Sequence, residues 1–138
     1  MSRLLLLFTL LAAGSACDSG PDSSAPEELT QDPELLVGTW DWEQSVTCYS
    51  GTTGCFESTP ALTGVTRRLT FTAGGMAEGY VNGSTFPSVP YRVEAGSLRI
   101  LLSTNSSFVV DSFGVSRDRL VLLDPSPEGE ETTYRRRA

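Results

Sequence analysis

The side chains best placed to do chemistry in this chain are three cysteines, Cys17, Cys48 and Cys55, and a scatter of carboxylates. The chain has no His, and all ten of its basic residues are Arg. Without His there is no Ser-His or Cys-His nucleophilic pair and no imidazole base or metal ligand. Without Lys there is no Schiff base and no P-loop lysine. Asp41, Glu43, Glu78 and Asp111 give no inward-facing pair for general acid–base work. Cys48 and Cys55 bracket six residues, but two thiolates with no His lack the further ligands a zinc site needs. A net charge of −7 and a pI near 4.5 exclude the basic face that nucleic acid requires. The expectation is a binding protein, not an enzyme, with no cofactor.

The N-terminus says where the chain goes. Met1-Ser2-Arg3 precedes the apolar run from Leu4 to Ala13, which is short of the roughly 20 residues of a membrane-spanning helix and reads as an export signal. Gly14-Ser15-Ala16 then leads into Cys17, and this resembles a bacterial lipobox. The resemblance implies cleavage after residue 16, acylation of Cys17 and a lipid-anchored place in the cell envelope, on the outer membrane in preference to the inner. Residues 17–34 carry six acids and no basic residue; with few apolar groups to bury, they read as a flexible tether. From Leu35 onward, 11 acids face 9 Arg, so the domain at 35–138 is near charge balance. In an exported chain, a Cys48–Cys55 disulfide is the default and adds about 2.5 kcal/mol in the chain-entropy model.

The elements that must position these groups are strands. Asp32-Pro33 signals one short helical turn. After it, period-two alternation with frequent turn signals predicts an all-β, eight-stranded up-and-down antiparallel barrel. The strands are expected near 36–46, 65–72, 76–81, 86–93, 98–102, 108–115 (with a kink at Gly114), 120–123 and 132–137. Asn82-Gly83 is a type I′ hairpin signal. Counting by twos places Trp40, Trp42, Gln44, Val46, Leu69, Phe71, Tyr80, Tyr91, Val93, Leu98, Ile100, Leu102, Phe108, Val110, Leu120, Leu122 and Tyr134 inside. So many large side chains predict a filled or nearly filled interior. Trp42, Gln44 and Arg67, with Tyr80 and Tyr91, are the candidates for a shallow ligand-binding mouth. Leu101, Val109, Phe113, Val121 and Leu123 fall on the outer parity. They predict an apolar patch that meets a protein partner, a second copy or Leu29 of the tether; a slipped register or bulge is the alternative.

Gly38-Thr39-Trp40 at the start of the first strand, after a helical turn, resembles the G-x-W motif of the lipocalins. The Arg run ending the last strand, the Pro-bearing loop at Thr59-Pro60 and the strand Leu69-Thr70-Phe71 before a Gly turn extend the likeness. Together with the lipobox they resemble the small lipocalin-like domain of bacterial lipoproteins, over nearly all of 35–138. The resemblance implies that an Arg of the last strand stacks over Trp40 and closes the barrel. Arg136 is the candidate, with Arg135 and Arg137 beside it. It also implies a small apolar ligand or a recognition role. The alternative is a structural or interaction lipoprotein, inhibitor-like, with a filled barrel.

Overall fold

Asp32 caps the first element: its Oδ1 accepts the Glu34 N–H at 2.9 Å, and Pro33 opens a one-turn helix α1 (Pro33–Leu36). The computed structural model describes residues 27–49, 54–95, 97–103, 106–110, 112–124 and 129–138. The expected signal, the first part of the tether and Cys17 lie outside them. The strands are β1 (Gly38–Cys48), β2 (Cys55–Ser58), β3 (Arg67–Phe71), β4 (Met76–Val81), β5 (Ser84–Thr85), β6 (Val89–Glu94), β7 (Ser97–Ser103), β8 (Ser106–Val110), β9 (Ser112–Val115), β10 (Arg119–Leu123) and β11 (Glu130–Arg136). A second one-turn helix, α2 (Pro60–Thr63), is capped by Thr59 and stopped by Gly64, which takes the left-handed conformation. The sequence reading placed a loop there and did not anticipate α2 or β2.

The antiparallel order is β8-β7-β6-β4-β3-β1-β11-β10-β9. Because β8 and β9 follow one another directly in the chain, the two ends of this path are halves of a single stave. The result is the expected eight-stave up-and-down barrel, nearly closed. The Asn82-Gly83 hairpin forms with both residues at positive φ. Cys48 and Cys55 are disulfide-bonded across the β1–β2 hairpin.

One end of the barrel is solid. Leu36, Trp40, Phe71, Leu98, Val115 and Leu120 are essentially without exposed surface, and the Trp40 indole donates to Leu36 O at 2.8 Å. Over that indole, at 4.1 Å, lies the Arg136 guanidinium. It also donates to Val37 O at 2.8 Å, Leu35 O at 2.6 Å and Arg117 O. Gly38 passes directly beneath it with φ +143°, where a Cβ would collide with the Arg136 Nη1 atom. Both ends of the G-x-W pattern thus have a physical reason, and Arg136, not Arg135 or Arg137, closes the base.

Parity corrects the sequence reading at three places. A bulge between Trp42 and Gln44 turns Ser45 inward, where it is buried, and puts Gln44 and Val46 on the outer face. In β4 the inward residues are Ala77 and Gly79, register partners of Phe71 and Leu69. Tyr80 therefore lies outside, its ring 4.8 Å from the Arg68 guanidinium. Phe113 is only 3% exposed and joins the main core, because the alternation counted from Phe108 does not run through the break between β8 and β9. Of the other residues expected on the outer patch, Leu123 is exposed, whereas Val121 is 8% exposed and stands outside the main core cluster. The side chains of Leu101 and Val109 lie outside the described residues.

The chain leading into α1 covers part of this outer side. Thr30 and Val115 exchange two backbone hydrogen bonds, of 2.9 and 2.7 Å. Leu29 lies so close to Gly114, the register partner of Val121, that a Cβ there would meet it at 3.0 Å. Glu27 accepts from the Ser116 hydroxyl (2.8 Å) and the Arg117 N–H (2.9 Å). The Leu29 segment thus lies along β9 beside the expected patch.

Two outcomes follow from these contacts. Gly38→Ala should lower stability by about 3 kcal/mol, since strain and collision act together. In denaturant titrations its cost should shrink in the Arg136→Met background, which removes the collision. The Glu27 carboxyl is held below its ordinary value, first by the Ser116 hydroxyl and then by the Arg117 N–H. A depressed folded value means its stabilisation is present above the ordinary carboxylate range and is lost as pH falls through the folded value. The protection factors of the Thr30 and Val115 amides, taken relative to the intrinsic exchange rate at each pH, should therefore fall on acidification, and Glu27→Gln should abolish that fall.

Candidate ligand cavity at the open end

The end of the barrel opposite Arg136 is hollow. β4 contributes Ala77 and Gly79 to the interior instead of a large side chain, and the space they leave is not refilled. A cavity of about 690 Å³ results. Its apolar wall is Leu69, Ala77, Gly79, Phe86, Pro87 and Val89, with Leu122 across from them. Phe86 folds back over Gly79, tied by its N–H to Gly79 O at 2.8 Å. Where a filled or nearly filled interior was expected, small residues on β4, in place of Tyr80, leave this end open.

The facing wall is polar and comes from β3, β11 and the end of β10. Arg67, Asp124, Glu130, Thr132 and Tyr134 line it. The bulge in β1 allows a one-way chain of hydrogen bonds to form there. Trp42 Nε1 donates to Ser45 Oγ (3.1 Å), Ser45 pairs with Thr132 Oγ1 (3.1 Å), and Thr132 donates to Glu130 Oε1 (2.9 Å). Since the single Thr132 proton goes to Glu130, the Ser45 proton goes to Thr132. The chain ends on a carboxylate at the mouth. Every buried polar group in it has a partner, which a low-dielectric interior requires.

Arg67 lies 4.5 Å over the Trp42 ring. Among the described residues no carboxylate reaches ion-pairing distance of it. Tyr134 is buried and its hydroxyl is pushed up to about 12, chiefly by desolvation; Arg67 acts in the opposite direction and Glu130 in the same one. At neutral pH it is a fixed neutral donor.

Of the five residues proposed as a mouth, Arg67 lines the cavity and Trp42 supports it from below. Gln44 is outside, because of the bulge. Tyr80 lines a small outer recess with Arg68, Thr70 and Thr85. Tyr91 is turned toward the base, edge-on to Phe71 at 5.0 Å with its hydroxyl on Thr72 O. The sequence reading missed Ser45, Thr132, Glu130, Ala77 and Gly79. For β4 a signal existed: Tyr80 shares parity with Glu78, a charge ill suited to a core, while Ala77, Gly79 and Val81 carry none. No described residue of the disulfide-linked hairpin lines the cavity. Instead the hairpin holds Tyr49 and Phe56 edge-to-face at 5.6 Å, with Phe56 62% exposed.

Comparison with family models, curated proteins and solved structures returns no match.

Burial raises the Tyr134 value above that of the unfolded chain, so its stabilisation is complete below about 10 and fades as pH rises through about 12. Absorbance titration should show a tyrosinate phase near 12 that vanishes in Tyr134→Phe.

Proposed function

We propose that the protein is an exported, lipid-anchored, lipocalin-like binding protein of the cell envelope that holds one small apolar molecule at the open end of its barrel. The observation that carries this is the cavity. Its volume of about 690 Å³ falls within the ~300–1,000 Å³ of small-molecule sites, and it combines a mostly apolar lining with a few convergent polar groups. The solid base supports the reading further: with Arg136 and Trp40 sealing one end, a ligand has one way in. The stacking of Arg136 on Trp40, with Gly38 beneath the guanidinium, also agrees with the lipocalin likeness, and the Cys17 motif with a lipid anchor. The role is binding without catalysis: a chain with neither His nor Lys brings no imidazole or amine to the cavity as base or nucleophile.

A second reading rests on a different feature. Phe56 and Leu62 are 62% and 73% exposed, beside a crosslinked hairpin. Apolar groups held outward in this way favour an interaction lipoprotein that acts through its surface.

Titration with a neutral, environment-sensitive apolar fluorophore separates the two. The first reading expects saturable, one-to-one uptake with a change in Trp emission as Arg67 shifts on Trp42. Gly79→Leu, which projects into the cavity, should weaken uptake at least about tenfold without lowering thermal stability. Uptake indifferent to Gly79→Leu, but abolished by Phe56→Ser, would transfer the case to the surface reading.

A further inference from the structure

The polar wall of the cavity carries charges of both signs, Arg67 with Glu130 and Asp124. Arg67 is held on the Trp42 ring, not by a carboxylate among the described residues. Glu130 receives the hydrogen-bond chain from Trp42 through one oxygen, Oε1. Both act on the buried Tyr134 of the same wall, which Asp124 also lines. The neutral Tyr134 hydroxyl and the Arg67 N–H groups are donors; the carboxylates are acceptors.

We propose that this wall selects apolar molecules whose polar group is neutral and both donates and accepts a hydrogen bond, alcohols and primary amides, over carboxylates and amines. The proposal rests on the binding role inferred above and names its ligand class. An ionised head must shed its hydration to enter, which is costly unless a matching charge compensates. A carboxylate gains Arg67 but sits against Glu130 and Asp124. An ammonium gains Glu130 and Asp124, but it sits against Arg67 and must shed a hydration shell that an alcohol lacks. A hydroxyl sheds little hydration, donates toward Glu130 and accepts from Arg67 or Tyr134. The mixed field thus rejects both signs of charge and leaves the group that can use donor and acceptor together.

The test is competition against the bound fluorophore on the full chain near neutral pH. The competitors share one saturated chain and end in an alcohol, a primary amide, a carboxylate, an amine or a plain methyl. The alcohol and amide should displace the fluorophore at least about tenfold better than the other three, the scale of one charge-assisted hydrogen bond. Glu130→Gln should raise the carboxylate-to-alcohol affinity ratio about tenfold, and Arg67→Met should raise the amine-to-alcohol ratio likewise. Fluorophore uptake by each variant reports that it is folded. A carboxylate equal to the alcohol in the unaltered protein, or ratios indifferent to both substitutions, overturns the head-group selection while binding itself stands. A plain hydrocarbon equal to the alcohol does the same. No uptake of any member or of the fluorophore overturns the binding role, and this inference with it.

Discussion

The contact on which the rest of the structure depends is the Arg136 guanidinium on the face of Trp40. A cation over an indole contributes about 1–2 kcal/mol when desolvated, yet its structural effect is larger than that figure. Arg136 also reaches Leu35 O and Val37 O at one side and Arg117 O at the other. One side chain therefore joins the entry helix, the start of the first stave and the turn between β9 and β10. Arg117 is distant in sequence from Leu35 and Val37, and Arg136 brings them together at the end of the pairing between the first and last staves, where it stands opposite Trp40. The Gly38 backbone leaves the space, Trp40 supplies the platform, and the solid core of Leu36, Phe71, Leu98, Val115 and Leu120 builds on it.

That solidity at one end is what permits a hollow at the other. A cavity forfeits dispersion contacts along its lining, so a barrel of this size tolerates one only where the remaining core carries the fold. Here the large apolar side chains are concentrated toward the base, and Ala77 and Gly79 face the emptier half. The disulfide at Cys48 and Cys55 ties β2 to the upper end of β1, apart from both halves of the interior.

Much of the architecture was legible before any coordinates. Eight alternating segments, the turn at Asn82-Gly83, the short helix after Asp32 and the cysteine pair all follow from local chemistry, and each is found. The cavity was not legible, because it depends on parity, and parity is lost at single residues. One extra residue near Glu43 exchanges Gln44 for Ser45 on the inner face and so creates the hydrogen-bond chain to Glu130. Nothing in a run of alternating polar and apolar residues marks such a bulge. In β4 the error was of another kind: a large aromatic, Tyr80, was assumed to be core, although the glutamate two residues earlier argued for the opposite face. The shift at Phe113 again follows a break in a stave, this time between β8 and β9.

The strap from Glu27 to Thr30 has a mechanical meaning. A chain that enters a barrel directly at its first stave delivers any pull straight to the closure, here to α1 and the Trp40 platform. In this protein the incoming backbone is first clamped to Val115 by two hydrogen bonds and to the Ser116–Arg117 corner by a carboxylate. Load arriving from upstream is met first by those bonds, at β9 and the turn after it, before it reaches Leu36 through α1. The strap works as strain relief does on a cable: its bonds can open and re-form while the barrel and its cavity keep their shape.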